Sequence, residues 1–394
     1  MDKKIILTPE YGTRLVAREA VESLREKGMD VATRPDHFFT GMDVTRLFAR
    51  APERSGLAAH PDLFFTVNFH GLDRDGEAFA ALEDKGVPVA VWCVDNPWNQ
   101  LSGLRSDFWK RAWLFVTDDS FIPGLEEHGA EHVFHLPLGA CRNFHCAGDT
   151  YPDTPPPRLA GLAPMVFVGR SAFPDKGRFF VGQSVDAGLL AEAEELLKKG
   201  ARPDFFWWLE KLAASEGGTR ALWPGSFVRR VSLGAEESAA AWRKECLESL
   251  PAMDLTIFGD AGWDSLLASE MDVRRDLRGP VDYYEELPRV YRDAEFSLNM
   301  TSLLLPRGLT QRHFDVWTAG GFLLTDKTPG LDIFPGELHE PVRFEHPSEI
   351  AVKMEYFRRN PLEKHRLAFS WRKELNVNHG YERRVEALLR TVFG

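Results

Sequence analysis

The chain has 394 residues, more than one hydrophobic core usually serves, so two domains are expected. Its 44% hydrophobic and 27% charged residues are those of an ordinary globular protein, and four cysteines are too few for a disulfide framework. A net charge of -11 and a pI near 5.6 argue against a sequence-independent nucleic-acid binder, because no excess of Lys and Arg exists to release counterions. The first residues run into a strand without an apolar leader, and no later run approaches a membrane span. The expectation is a cytoplasmic protein without an integral membrane segment.

The first half alternates short apolar runs with amphipathic stretches. Strands are predicted over residues 4–8, 31–33, 63–68, 88–94, 113–117 and 132–136, with helical patterns over 14–27, 77–84 and 121–127 between them. Strands separated by helices signal a parallel, doubly wound sheet. Residues 148–164 hold five prolines with little periodicity, which is a linker composition. The expected domains are therefore 1–150 and 165–375, with a linker over 151–164 and a closing helical segment over 376–394.

The alternation then resumes, with strands predicted over 165–169, 255–259, 296–298, 322–325 and 342–344. A long helical region spans roughly 189–250, and its aromatic cluster Phe205, Phe206, Trp207 and Trp208 reads as core. A last helix covers 381–393. Two Rossmann-like domains imply an interdomain cleft, and open α/β sheets bind ligands outside the carboxyl ends of their strands.

The most informative window is 299–326, which reads as strand end, loop, short helix, glycine turn and strand. The helix is expected to start at an N-cap Thr310 and to stop at Gly320-Gly321. Arg307, Gly308 and Arg312 at its front form a diphosphate cradle in this reading, and Asp315 could accept two hydrogen bonds from a ribose cis-diol. The plainer alternative is an exposed ion pair and an ordinary turn. The first strand of the second domain ends in Gly169-Arg170, with Lys176 and Arg178 nearby, a turn able to hold the other side of a diphosphate. Gly259, in the turn after the next strand, could lie against a base or ribose, and a plain tight turn is the alternative. Neither a dinucleotide fingerprint nor a P-loop is present.

In the first domain polar residues end successive strands: Glu10, Tyr11 and Thr13, then Asn68 and His70, then Asp95 and Asn96, then Asp118. Asp95 ends a very apolar run, and partial burial would raise its pKa toward a value useful for a general base. His70 is the competing base, suited without tuning. For each, the alternative is a cap on the next helix. Cys141, Cys146, His135 and His145 fit no zinc-ligand spacing, so buried thiols are expected rather than a metal site. Asp73-Arg74-Asp75 and Asp118-Asp119 resemble a metal-binding Asp-x-Asp but read as loop or N-cap residues.

Taken together, the chain resembles the spore-maturation-protein (CgeB-like) glycosyltransferases over nearly its full length. The resemblance is carried by P-D-L-F-F-T-V-N-F from Pro61, V-W-C-V-D-N-P-W from Val91, H-L-P-L-G-A from His135, F-V-G-R from Phe167, the long motif from Arg307 to Asp326, and H-G-Y-E-R-R from His379. It implies a GT-B fold of two Rossmann-like parallel-sheet domains, a group 1 glycosyltransferase-like C-terminal domain that binds a nucleotide-diphosphate sugar, and an N-terminal domain that binds a glycan or protein acceptor. No metal and no cofactor beyond the donor substrate are implied. Retaining group 1 enzymes usually show two glutamates at this spacing; here Asp315 matches the second and Arg307 stands at the first. The expected activity is metal-independent glycosyl transfer to a hydroxyl, with Arg170, Lys176, Arg307 and Arg312 offsetting charge on the departing diphosphate. An inverting route needs Asp95 or His70 as base and a retaining route does not. A nucleotide-sugar 2-epimerase and a non-catalytic nucleotide-sugar-binding protein are the alternatives.

Overall fold

The computed structural model describes residues 3–35, 41–42, 44–45, 60–144, 161–215, 217–218, 220–251, 254–267 and 276–394. His145, Cys146 and most of the linker segment lie outside them. The chain forms two compact units, one of residues 1–138, 221–228 and 381–394 and one of residues 139–220 and 229–380.

The first unit is built on a parallel sheet of six strands: β1 (Ile5–Pro9), β2 (Asp30–Arg34), β3 (Leu63–Val67), β4 (Val89–Cys93), β5 (Trp113–Val116) and β6 (His132–His135). Their order is β2-β1-β3-β4-β5-β6, so the direction of winding reverses between β1 and β3. The central strands β3, L-F-F-T-V, and β4, V-A-V-W-C, are buried at every position, as expected of strands covered on both faces. One face carries Ile6, Phe65, Trp92 and Phe115, and on it packs the chain's last helix, Tyr381–Phe393, through Tyr381, Val385, Leu388 and Leu389. That helix is fixed further by Arg384, whose Nε donates to the Leu138 carbonyl at 2.9 Å and whose pKa is lowered by burial to about 10.

The second unit repeats the plan with β7 (Met165–Val168), β8 (Leu255–Phe258), β9 (Asp276–Arg278), β10 (Phe296–Asn299), β11 (Leu323–Asp326) and β12 (Arg343–Phe344). The order β12-β11-β10-β7-β8-β9 puts the reversal between β7 and β10. β9 is the strand that hydropathy does not reveal: its sequence is D-L-R, and Thr256 Oγ1 on β8 donates to Asp276 at 2.8 Å. The long helical region is three helices, Ala187–Lys198, Phe205–Ser215 and Phe227–Glu248. Trp208 is fully buried, and its Nε1 donates to Ser238 at 2.9 Å. Across the sheet, Trp317 and Trp371 stack at 5.1 Å with planes 3° apart, so these aromatic side chains are core. No helix among the described residues is long and apolar enough to cross a membrane.

Candidate functional site

In the second unit the loops after β7, β8 and β9 enclose a cavity of about 750 Å³, lined by Gly169, Arg170, Ser171, Phe258, Gly259, Pro280 and Tyr283 among others. It opens at the carboxyl ends of parallel strands, where this class of sheet binds ligands. Gly169 N–H continues the ladder to Phe258 O at 2.9 Å, and Gly259 N–H does the same to Arg278 O at 3.1 Å. A Cβ on Gly259 would sit 2.2 Å from the Gly169 carbonyl, so only glycine fits where these two turns meet.

The loop after β7 is held from several sides. Asp260 accepts Ser171 N–H at 3.0 Å and Ser171 O–H at 2.5 Å. Burial would raise the Asp260 pKa, but hydrogen bonds from Ser171 and Gly262 outweigh it and hold the carboxyl below its ordinary range. Buried Glu236 accepts Phe173 N–H at 2.8 Å, and Arg243 donates to both Glu236 (2.9 Å) and Ser171 O (3.1 Å). Arg170 projects exposed from this fixed loop and makes no hydrogen bond or ion pair among the described residues. It is a cation on the wall of a glycine-lined cavity.

The helix expected at Thr310 begins at Arg312 and runs to Thr318, with Gln311 at the N-cap. Thr310 is not the cap because its hydroxyl donates inward to Asn299 Oδ1 at 2.7 Å. Arg312 turns inward too. Its Nε donates to Asn299 Oδ1 at 2.7 Å and its Nη1 to Val168 O at 2.6 Å, with the guanidinium 5.1 Å from the Phe167 ring centre. Burial lowers its pKa. Arg312 thus ties the ends of β7 and β10 together at the winding reversal, behind the cavity rather than on its wall. Asp315 is 1% exposed and accepts Tyr283 O–H at 2.6 Å and Gln311 Nε2–H at 2.8 Å. Neighbouring His313 is buried between Thr310 and Thr325, and desolvation lowers its pKa to about 4, leaving it neutral.

Of the donor residues expected from sequence, the structure gathers Gly169, Arg170 and Gly259 on the cavity and sets Arg312 and Asp315 behind it. Lys176 pairs with Glu237 at 2.8 Å. Arg307 and Gly308 are not among the residues that line the cavity. Sequence reasoning missed Ser171, Glu236, Arg243, Asp260 and Tyr283. The adjacent tyrosines Tyr283 and Tyr284 were the available signal for the last.

In the first unit the turn after β3 places Asn68 and Phe69 consecutively in the left-handed region, at φ 52° and 60°. Asparagine tolerates this and phenylalanine does so rarely, at a cost on the order of 1 kcal/mol. Asn68 Oδ1 accepts Val94 N–H at 2.9 Å, and its Nδ2 donates to Asp95 Oδ2 at 2.7 Å. Asp95 has accessible surface, yet protein crowds its carboxyl; that desolvation raises its pKa, and the Asn68 hydrogen bond partly opposes the rise. His70 is exposed on the same turn, and its carbonyl accepts Thr66 O–H at 2.6 Å.

Other sequence candidates have local duties. Asn96 caps the helix Pro97–Leu101, Asp118 accepts Ser120 N–H at 3.0 Å, and Asp73 accepts the N–H groups of Asp75, Glu77 and Ala78. Cys93, Cys141 and Cys246 are buried free thiols, and no group of three or more His, Cys, Asp or Glu that could hold a metal occurs among the described residues.

Residues 240–390 match a family model described as glycosyl transferase-like. No curated protein matches the chain. Solved structures do. An alpha-glucosyltransferase in complex with UDP superimposes with a TM-score of 0.57 at 10% identity, with 100% of each chain covered. An alpha-glucosyltransferase in complex with UDP-glucose and DNA containing an abasic site gives 0.55 at 11%, again with 100% of each chain covered. T4 phage BGT in complex with its UDP-glucose substrate gives 0.52 at 9%, covering 99% of this chain and 100% of that one. The fold is GT-B. It carries a glycosyl transferase-like domain that includes β8 to β12 and the helix with Arg312 and Asp315.

Proposed function

We propose that this protein is a glycosyltransferase that moves a sugar from a nucleoside diphosphate sugar to a hydroxyl of a glycan, protein or small-molecule acceptor. The observation that carries the reading is the cavity at the ends of β7, β8 and β9, with paired glycine turns and the exposed Arg170, which has no partner among the described residues, on its wall. Glycine there lets a diphosphate approach the backbone, and a preorganised cation offsets the charge that grows on the leaving group. Arg312 supports that wall through the Val168 carbonyl. We assign the acceptor's proton to Asp95 for an inverting outcome, with His70 as its competitor. Metal-independent transfer fits the use of Asp73 and Asp118 as caps. The nucleotide belongs to the second unit in this reading and the acceptor to the first. Two of the structural neighbours are in complex with UDP-glucose, which makes that donor the first to try. Membership of the CgeB-like group and a cytoplasmic location are parts of the same proposal, the latter consistent with three buried thiols. The net charge of -11 disfavours a nucleic-acid acceptor.

The test is incubation of the full chain with UDP-glucose and other nucleotide sugars, with and without a panel of glycans, peptides and duplex DNA. Released nucleoside diphosphate and glycosylated product are then followed with and without chelator. Acceptor-dependent release unaffected by chelator is expected. An epimerised sugar formed from donor alone, or donor binding with no turnover across the panel, contradicts the proposal.

A further inference from the structure

Both oxygens of the Asp315 carboxylate are occupied. Gln311 Nε2–H reaches Oδ1 at 2.8 Å and Tyr283 O–H reaches Oδ2 at 2.6 Å. With Asp315 only 1% exposed, and with the cavity-lining Tyr283 holding Oδ2, a ribose in the cavity does not reach the carboxylate in this arrangement, although Oδ2 has two lone pairs to offer once the phenol leaves. The two occupants are not equivalent. Gln311 is anchored twice, since its Nε2 also donates to Gly139 O at 2.8 Å and it forms the N-cap of the helix that carries Asp315. Tyr283 sits on the irregular segment between β9 and the helix Leu287–Asp293, half-buried, with its side chain on the cavity wall. Its ring rests on Phe144 at 4.8 Å and on Tyr284 at 4.9 Å. Aromatic contacts of that kind tolerate a tilt of the ring, whereas a short bond to an ionised carboxylate is a specific and strong restraint.

We propose that Tyr283 is a donor-displaced cap on Asp315: its phenol occupies the position of one ribose hydroxyl, and nucleotide binding exchanges that single bond for those of the ribose cis-diol. The inference rests on reading the cavity as a nucleoside diphosphate site. Its consequence is selectivity. A cis-diol offers two donors where the phenol offers one, so only a ligand with a ribose gains from the exchange. A bare diphosphate leaves the cap in place and binds the loop after β7 alone. Tyr283 is then a specificity-determining residue that holds the buried carboxylate satisfied while the cavity is empty, since an unsatisfied buried charge is costly.

The experiment is calorimetry on the full chain with UDP and with inorganic pyrophosphate, comparing the unaltered protein with Tyr283→Phe and with Asp315→Asn. Tyr283→Phe removes the competing bond, so UDP binding should tighten about tenfold, one charge-assisted hydrogen bond, while pyrophosphate binding stays unchanged. Asp315→Asn should weaken UDP and leave pyrophosphate alone. Tyr283→Leu, which removes the hydroxyl with a different side chain, should move UDP in the same direction as Tyr283→Phe. If UDP binds the unaltered protein and both Tyr283 variants bind it no better, the cap is overturned and the donor reading survives. If UDP binds none of the proteins, the donor reading itself falls, and the cap with it.

Discussion

The loop after β7 and the turn after β3 both follow a strand that borders a winding reversal, and they are built on opposite principles. The first is held from outside by charged partners distant in sequence: buried Glu236 on Phe173 N–H, half-buried Arg243 on Ser171 O and Arg312 on Val168 O, and exposed Asp260 on Ser171. The second is held from within, by Thr66 on His70 O and by Asn68, through two consecutive left-handed residues. A loop fixed by buried charges is rigid at the expense of coupling its shape to the stability of the fold, because removing one partner leaves another buried and unsatisfied. A locally strained turn can present a reactive group whose loss the fold survives. Substitutions in the two regions should therefore separate along stability and turnover.

The largest effect expected is at Asp95, which follows β4 and accepts a hydrogen bond from Asn68 of the strained turn. Asp95→Asn should reduce transfer roughly 10²–10⁴-fold, as for loss of a positioned base, with donor affinity unchanged by calorimetry. The pKa of Asp95 is raised by desolvation, so its ionised form is disfavoured in the folded state, and stability is lost as pH rises through that pKa. Asp95→Asn should accordingly leave the Tm at neutral pH unchanged or slightly higher. The rate in the unaltered protein should fall with decreasing pH at a point above the ordinary carboxylate range. Near-normal turnover in Asp95→Asn with a dead His70→Ala would move the base to His70. Loss of turnover in neither would leave a retaining route.

Next comes Arg312→Ala, which should destabilise the fold by about 1–3 kcal/mol, since it takes the side-chain donor from Val168 O and one of the two donors from buried Asn299 Oδ1, where the Thr310 hydroxyl remains, and should weaken donor binding as well. An exposed ion pair would cost only a few tenths of a kcal/mol. A urea midpoint close to that of the unaltered protein would show that the buried tie does not stabilise.

More gradual is the contribution of His313. With its folded pKa lowered to about 4 from 6.5, the unfolded chain takes up a proton first as pH falls. Stability fully present above 6.5 should be lost progressively down to about 4, by about 3 kcal/mol in total. In His313→Gln that part of the pH dependence should vanish from denaturation curves; its persistence would assign it elsewhere.

Much of this architecture is legible in the sequence, for reasons that differ by element. β3 and β4 are uninterrupted apolar runs of β-branched and aromatic residues, and such runs have few other uses in an α/β protein. β9 is not legible, because an edge strand of three residues held by Asp276 and Arg278 carries no hydrophobic signature. The breaks that divide residues 189–250 into three helices fall at Gly200 to Pro203 and around Pro224, both readable as helix punctuation. At the site, Gly169, Arg170 and Gly259 could be found because a glycine directly after a buried strand is a local signal. The inward turn of Arg312 could not, since an arginine three residues before an aspartate on a helix gives the same pattern whether solvated or buried. The partners that fix the loop after β7 lie 63 to 144 residues away in sequence, a distance over which a single chain gives no pairing information.

The measurement that bears most directly on the central claim is hydrogen–deuterium exchange of the full chain with and without saturating UDP. Protection is expected in peptides covering 168–175, 258–260 and 280–287, the segments that line the cavity, and should disappear together in Arg170→Ala at the same ligand concentration. UDP binding that leaves those segments unprotected, or that protects only other parts of the chain, would contradict the account.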